Sequence, residues 1–168
     1  MYFTQDIDEF AAKMLGEYSG KKFKSVSDGD LDLETEEEKE ETKKASEENQ
    51  DMFKFMKEAL GDKVKEVRVS TKLKSHPVCL SAEGNITIEM EKVLNAMPQN
   101  EGKQVKAEKC LELNPSLPVF AKLKTLYAED NDKLAEYTKI LYSEALLIEG
   151  ISIENPVEFA NLVCGLMI

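Results

Sequence analysis

The chain has 168 residues, 42% hydrophobic and 33% charged, with 22 Lys plus Arg against 33 Asp plus Glu and a formal net charge of −11. That balance permits a real core in a soluble, cytoplasmic protein and excludes non-specific nucleic-acid binding, which needs a basic surface. No apolar run approaches the roughly 18 residues of a membrane span, and Met1-Tyr2-Phe3-Thr4-Gln5-Asp6 lacks the basic region and long apolar stretch of a signal peptide.

Met1–Thr4 reads as the end of a strand, Asp6–Tyr18 as a helix with Ile7, Phe10, Ala11, Met14 and Leu15 on one side, and Gly20 as its stop. Lys22–Val26 then reads as a short strand. Strand, helix, strand is a βαβ unit, which needs partner strands to bury both faces. The expectation is therefore that residues 1–33 are the end of a larger upstream domain. Glu34–Asn49 holds eight Glu and three Lys with Ala45 as its only apolar residue, so residues 34–50 read as an acidic linker, either a solvated helix or a flexible tether. Residues 51–168 form the main domain.

Asp51–Leu60 is helical, with Met52, Phe53, Phe55, Met56 and Leu60 apolar and Gly61 as its end. Val64–Thr71, Pro77–Ser81 and Glu108–Leu113 read as strands, and Asn114-Pro115 opens another helix carrying Val119, Phe120, Leu123, Leu126 and Tyr127. The fold class is α+β, a small β-sheet flanked by helices. Between the strands, Ile86, Met90, Val93, Leu94 and Met97 make a stripe at helical spacing. It fits an ordinary core helix, or an exposed one whose flexible methionines adapt to varied partners.

The last stretch reads as a helical hairpin. Its first helix, Asp132–Glu149, has an apolar stripe too wide for one face against a small core. Gly150 stops it. Asn155-Pro156-Val157-Glu158 restarts the chain with an N-cap, a Pro at the first helical position and an acid three residues after the cap. Phe159, Leu162, Val163, Leu166 and Met167 follow the 3.6-residue period. Such a hairpin either plugs its own domain or meets a copy of itself, and the second is expected.

Catalytic patterns are missing. Cys79, Cys110 and Cys164 have no C-x-x-C spacing and read as reduced, buried thiols. His76 and Cys79 are three apart in strand-like sequence, on opposite faces. There is no Walker loop, G-x-G-x-x-G or H-E-x-x-H. The residues describe a binding or assembly module, with a stand-alone adaptor acting through Glu34–Glu48 as its rival form.

Several stretches resemble one family: Asp6-Ile7-Asp8-Glu9-Phe10, Gly20-Lys21-Lys22-Phe23-Lys24-Ser25-Val26, Leu73-Lys74-Ser75-His76-Pro77-Val78-Cys79-Leu80, Met90-Glu91-Lys92-Val93-Leu94, Leu113-Asn114-Pro115, and Ala145–Gly150 with Asn155–Phe159. Together they look like the carboxy-terminal part of the bacterial 90-kDa heat-shock chaperone, HtpG type. The resemblance implies an ATP-dependent, dimeric, cytoplasmic chaperone, of which this chain holds the end of the middle domain and the dimerisation domain. It implies a four-helix bundle in the dimer, built from Asp132–Glu149 and Pro156–Met167, for which we expect contacts from Leu134, Tyr137, Leu141, Ile148, Phe159, Leu162, Leu166 and Met167. It also favours the exposed reading of the Ile86–Met97 helix, as a contact for partly folded client proteins. ATP and Mg would belong to the full-length protein, leaving this piece without cofactor, catalytic residue or metal.

Overall fold

We describe a computed structural model of the chain over residues 8–23, 36–84, 86–96 and 105–167. In chain order its elements are α1 (Asp8–Leu15), β1 (Glu17–Tyr18), β2 (Lys21–Lys22), α2 (Glu36–Glu48), α3 (Gln50–Leu60), β3 (Glu66–Val69), β4 (Val78–Glu83), α4 (Ile88–Ala96), β5 (Glu108–Leu113), α5 (Pro118–Glu129), α6 (Asn131–Ile148) and α7 (Pro156–Gly165). The backbone separates into two units, Met1–Asp32 with Ser81–Lys109, and Leu33–Leu80 with Cys110–Ile168.

In the first unit α1 ends at Leu15, earlier than expected, because Gly16 turns left-handed at φ 69°. The chain enters a hairpin in which Glu17 pairs with Lys22 and Tyr18 with Lys21, antiparallel. Ser19 and Gly20 form its turn at φ 53° and 74°, the positive dihedrals that two-residue hairpin loops require. Gly20 is thus a hairpin corner and not a helix stop. The described residues hold a helix and hairpin where a βαβ unit was expected; Met1–Thr4 and residues 24–26 lie outside them. Helix α4 starts behind Thr87, whose Oγ1 accepts from the Met90 amide at 3.2 Å.

The second unit carries a three-stranded sheet in the order β3-β5-β4. Strands β3 and β5 run parallel, Val67 opposite Leu111 and Val69 opposite Leu113 on the buried face. On the other side the register partners Arg68 and Glu112 form an ion pair at 2.8 Å. Glu112 is buried and its other oxygen accepts from Ser70 Oγ at 3.0 Å. Asn114, fully buried, makes a corner: its amide donates to the His76 carbonyl, its backbone N–H to the Pro77 carbonyl, and its Oδ1 accepts from the Ser116 amide. Asn114-Pro115 therefore ends a strand, and Pro118 begins α5.

Helix α2 is packed against β3, not free. Thr42, Ala45 and Ser46 are half-buried and Asn49 buried, at i, i+3, i+4 and i+7, while Glu40, Lys43, Lys44, Glu47 and Glu48 face solvent. The tether alternative thus gives way to a helix seated on small residues. Helices α3, α5 and α6 cover the core, with Phe53 against Phe120 at 6.3 Å. Because Leu111 is wholly buried on the central strand, Leu111→Ala should cost about 2–5 kcal/mol in urea unfolding, with an unchanged m-value.

Candidate dimer and client surfaces

Helix α6 is capped by Asp130, whose side chain accepts from the Lys133 amide at 3.0 Å. Leu134, Thr138, Leu141 and Ala145 form its inner stripe and are buried. Leu134 and Leu141, expected at a dimer contact, thus pack inside their own protomer, since a helix laid across α3 and α5 must first satisfy that core. Tyr137 is half-buried on the flank, with Glu144 seven residues on and the exposed Ile148 eleven on. Burial holds the Glu144 carboxyl above its ordinary range. Leu147, part of the wide apolar stripe but not among the expected dimer contacts, is 53% exposed.

Gly150, at φ 69°, closes α6 as the sequence implies. The Ile151 N–H donates to the Leu146 carbonyl at 2.8 Å and the Gly150 N–H to Leu147 at 3.0 Å, a Schellman pair. The Asn155 side chain then accepts from the Glu158 amide at 3.1 Å, with Pro156 at the first helical position, again as read from the sequence. The loop between the helices is tied down by Lys63, 3.3 Å from Glu154 and 5.9 Å above the Tyr142 ring, and α7 by Lys139, 3.6 Å from Glu158.

Despite its composition, α7 has no buried residue. Phe159, Leu162 and Val163 are half-covered along the contact with α6. Val157, Leu166 and Met167 are 69%, 41% and 78% exposed. Of the expected contacts, Ile148, Leu166 and Met167 lie in solvent and Tyr137, Phe159 and Leu162 are partly open.

Helix α4 has the opposite construction. Glu91 and Asn95, one turn apart, bind the returning segment: Glu91 accepts from the Ala107 amide at 2.7 Å and from Lys109 Nζ at 2.6 Å. Asn95 exchanges two hydrogen bonds with the Val105 backbone, at 2.9 and 3.0 Å. Ile88, on the same side, is buried. At 100° per residue Met90 and Val93 lie on the opposite side and Leu94 on the flank beside Glu91; all three are half-buried, as is Ile86. Met97 lies outside the described residues. Neither Glu91 nor Asn95 stood out in the sequence, although their spacing of four is the signal of a shared helix face.

His76 is exposed beside the Ser75 hydroxyl, and the Cys79 thiol donates to Glu112 at 3.8 Å.

A family model described as Hsp90 protein matches residues 1–168. The chain belongs to the Hsp90 family. It is 57% identical over 167 residues to "Chaperone protein HtpG" of Clostridium perfringens, covering 99% of this chain and 26% of that protein. It is 58% identical over 167 residues to the protein of that name from Clostridium acetobutylicum and 54% over 168 residues to that of Bacillus subtilis, again covering 26% of each. This Hsp90-family chain thus spans about a quarter of the length of those relatives. Among its described residues no helix is long and apolar enough to cross a membrane.

The three thiols of this family member differ sharply. Cys110 is buried, Cys164 is exposed, and burial, helped by the Glu112 charge, pushes the Cys79 thiol from its ordinary 9.0 up to about 12. Only the thiolate is nucleophilic, so iodoacetamide at pH 8 should alkylate Cys164 first in mass-spectrometric time courses. Cys79 and Cys110 should react only on unfolding. The raised Cys79 pKa adds stability that is fully present below pH 9 and is lost as pH rises towards 12, since the unfolded thiol then ionises first.

Proposed function

We propose that this chain is the carboxy-terminal dimerisation and client-contacting module of an ATP-dependent chaperone. Family membership supplies the chaperone setting. The observation that carries the dimer reading is the end of the α6–α7 hairpin region: α7 is apolar with no buried residue, Val157 on it and Leu166 and Met167 just beyond it are exposed, and so are Leu147 and Ile148 at the end of α6. So many large apolar side chains left in solvent on one helical hairpin fit an interface. A second copy supplies a complementary surface through a two-fold axis, each α6–α7 pair contributing half of a four-helix bundle.

In this reading nucleotide and magnesium act in the part of the longer protein outside these residues. The dimer raises the effective concentration of the two distant ATPase parts, so that they close on each other without a bimolecular encounter. Two α4 helices offer Met90, Val93 and Leu94 to partly folded proteins, weakly at each site and more tightly together.

Light scattering over a dilution series should give about twice 18.9 kDa. A monomer at every concentration overturns the dimer reading. Leu166→Asp with Met167→Asp, both at exposed positions, should leave the protomer's thermal unfolding in place and weaken the dimer at least about 100-fold, from the loss of two apolar burials per subunit. Met90→Glu should lower suppression of aggregation of a thermally unfolding test protein while the mass stays dimeric.

A further inference from the structure

Helices that meet a partner through an apolar face are usually fixed to their own protein by packing. Helix α4 is, in addition, tied to its return segment by polar groups. The Glu91 carboxylate takes both a backbone amide, Ala107, and an ammonium, Lys109, the two side chains being 17% and 11% exposed. One turn further on, the Asn95 amide reproduces the pairing of a strand against Val105, donating to its carbonyl and accepting from its N–H. Glu91 lies mid-helix and Asn95 near its end, and both bind one short segment, Val105–Lys109.

We propose that Glu91 and Asn95 are positioning residues, a two-point latch that sets which way α4 turns its apolar side. With the latch closed, the polar stripe and Ile88 face the return segment, Met90 and Val93 face away, and Leu94 lies on the flank. With it open, α4 loses its two polar ties to the return segment, and the half-covered apolar side chains would turn inward. The chemistry explains why an acid is needed at position 91. A carboxylate has acceptor capacity for an ammonium and an amide together, and a charge-assisted bond with little solvent exposure is stronger than a neutral one. The consequence for clients rests on the proposed function of α4; the latch itself does not.

The test is amide hydrogen exchange of the whole chain, read over Ile88–Ala96 and Val105–Lys109, with α3 and α6 as internal controls of folding. Glu91→Ala should exchange at least about tenfold faster across α4 than wild type, the loss expected when bonds to a charged group go. Glu91→Gln, which keeps an acceptor for the Ala107 amide, should fall between them, and Lys109→Arg should match wild type. Alanine is the better helix former, so a helix held by local propensity alone would exchange equally or more slowly in Glu91→Ala. That result overturns the proposal. Should Glu91→Ala also loosen α3 and α6, Asn95→Ala at its exposed position decides: the Val105 amide must lose protection, and an unchanged Val105 equally refutes the latch. Met90→Glu separates the two readings, because it should lower client capture with α4 protection intact. Unchanged capture in that variant would reject the client role and leave the latch standing.

Discussion

The structure of the second unit depends on how α6 divides its apolar surface. Its inner stripe, Leu134, Thr138, Leu141 and Ala145, is taken up by α3 and α5, and even the buried Thr138 hydroxyl is satisfied within the helix, by the Leu134 carbonyl at 2.7 Å. Large aliphatic groups inside a close-packed core are not available to a second surface. What remains at the end of the helix, Leu147 and Ile148, therefore has no partner in its own core. The Schellman turn at Gly150 and the Lys63 and Lys139 ion pairs then fix where α7 starts and how it lies. These exposed pairs contribute little energy. They hold a helix in place without burying it.

The sheet beneath is ordered by a different device. Parallel strands gain slightly less per residue than antiparallel ones, and a slip by one residue would invert the faces. The Arg68–Glu112 pair opposes such a slip. It joins register partners on β3 and β5, and the same carboxylate holds Ser70 and Cys79. Buried polar groups this well satisfied specify one arrangement, since any other register leaves a buried carboxylate unpaired.

Local signals in the sequence were legible where one residue type has one physical use. Glu108–Leu113 is a strand as read, Gly150 ends a helix, and Asn155-Pro156 with Glu158 starts one. Gly20 was misread because a left-handed glycine serves a helix end and a hairpin corner equally, and only the pairing of Tyr18 with Lys21 separates them. Asn114-Pro115 carried an N-cap pattern, but the asparagine's hydrogen bonds go to His76 and Ser116, partners that the local sequence does not identify. The candidate interface was legible as apolar positions and not as exposed ones. Periodicity finds Leu134 and Met167 alike, and the difference between 0% and 78% exposure comes from tertiary packing alone. Val157 escaped for the converse reason, being read only as part of a helix start and yet lying in solvent, and Leu147 was read in the stripe but not as a contact.

The two candidate surfaces are built for different kinds of contact. Helix α7 is capped at both ends and stands next to a fixed partner helix, which suits a permanent match between identical faces. Helix α4 is shorter, presents a methionine among its outward residues and is held by polar bonds on its rear. Thioether side chains rotate easily and fill irregular space, so such a face tolerates many shapes at low affinity for each. Polar anchoring keeps the remaining apolar side from being spent on the protein's own core. The same hydrophobic effect thus serves two opposite ends in one chain. In the proposed function, a capped helix beside a fixed neighbour favours one partner, and adaptable side chains on a short helix favour none in particular.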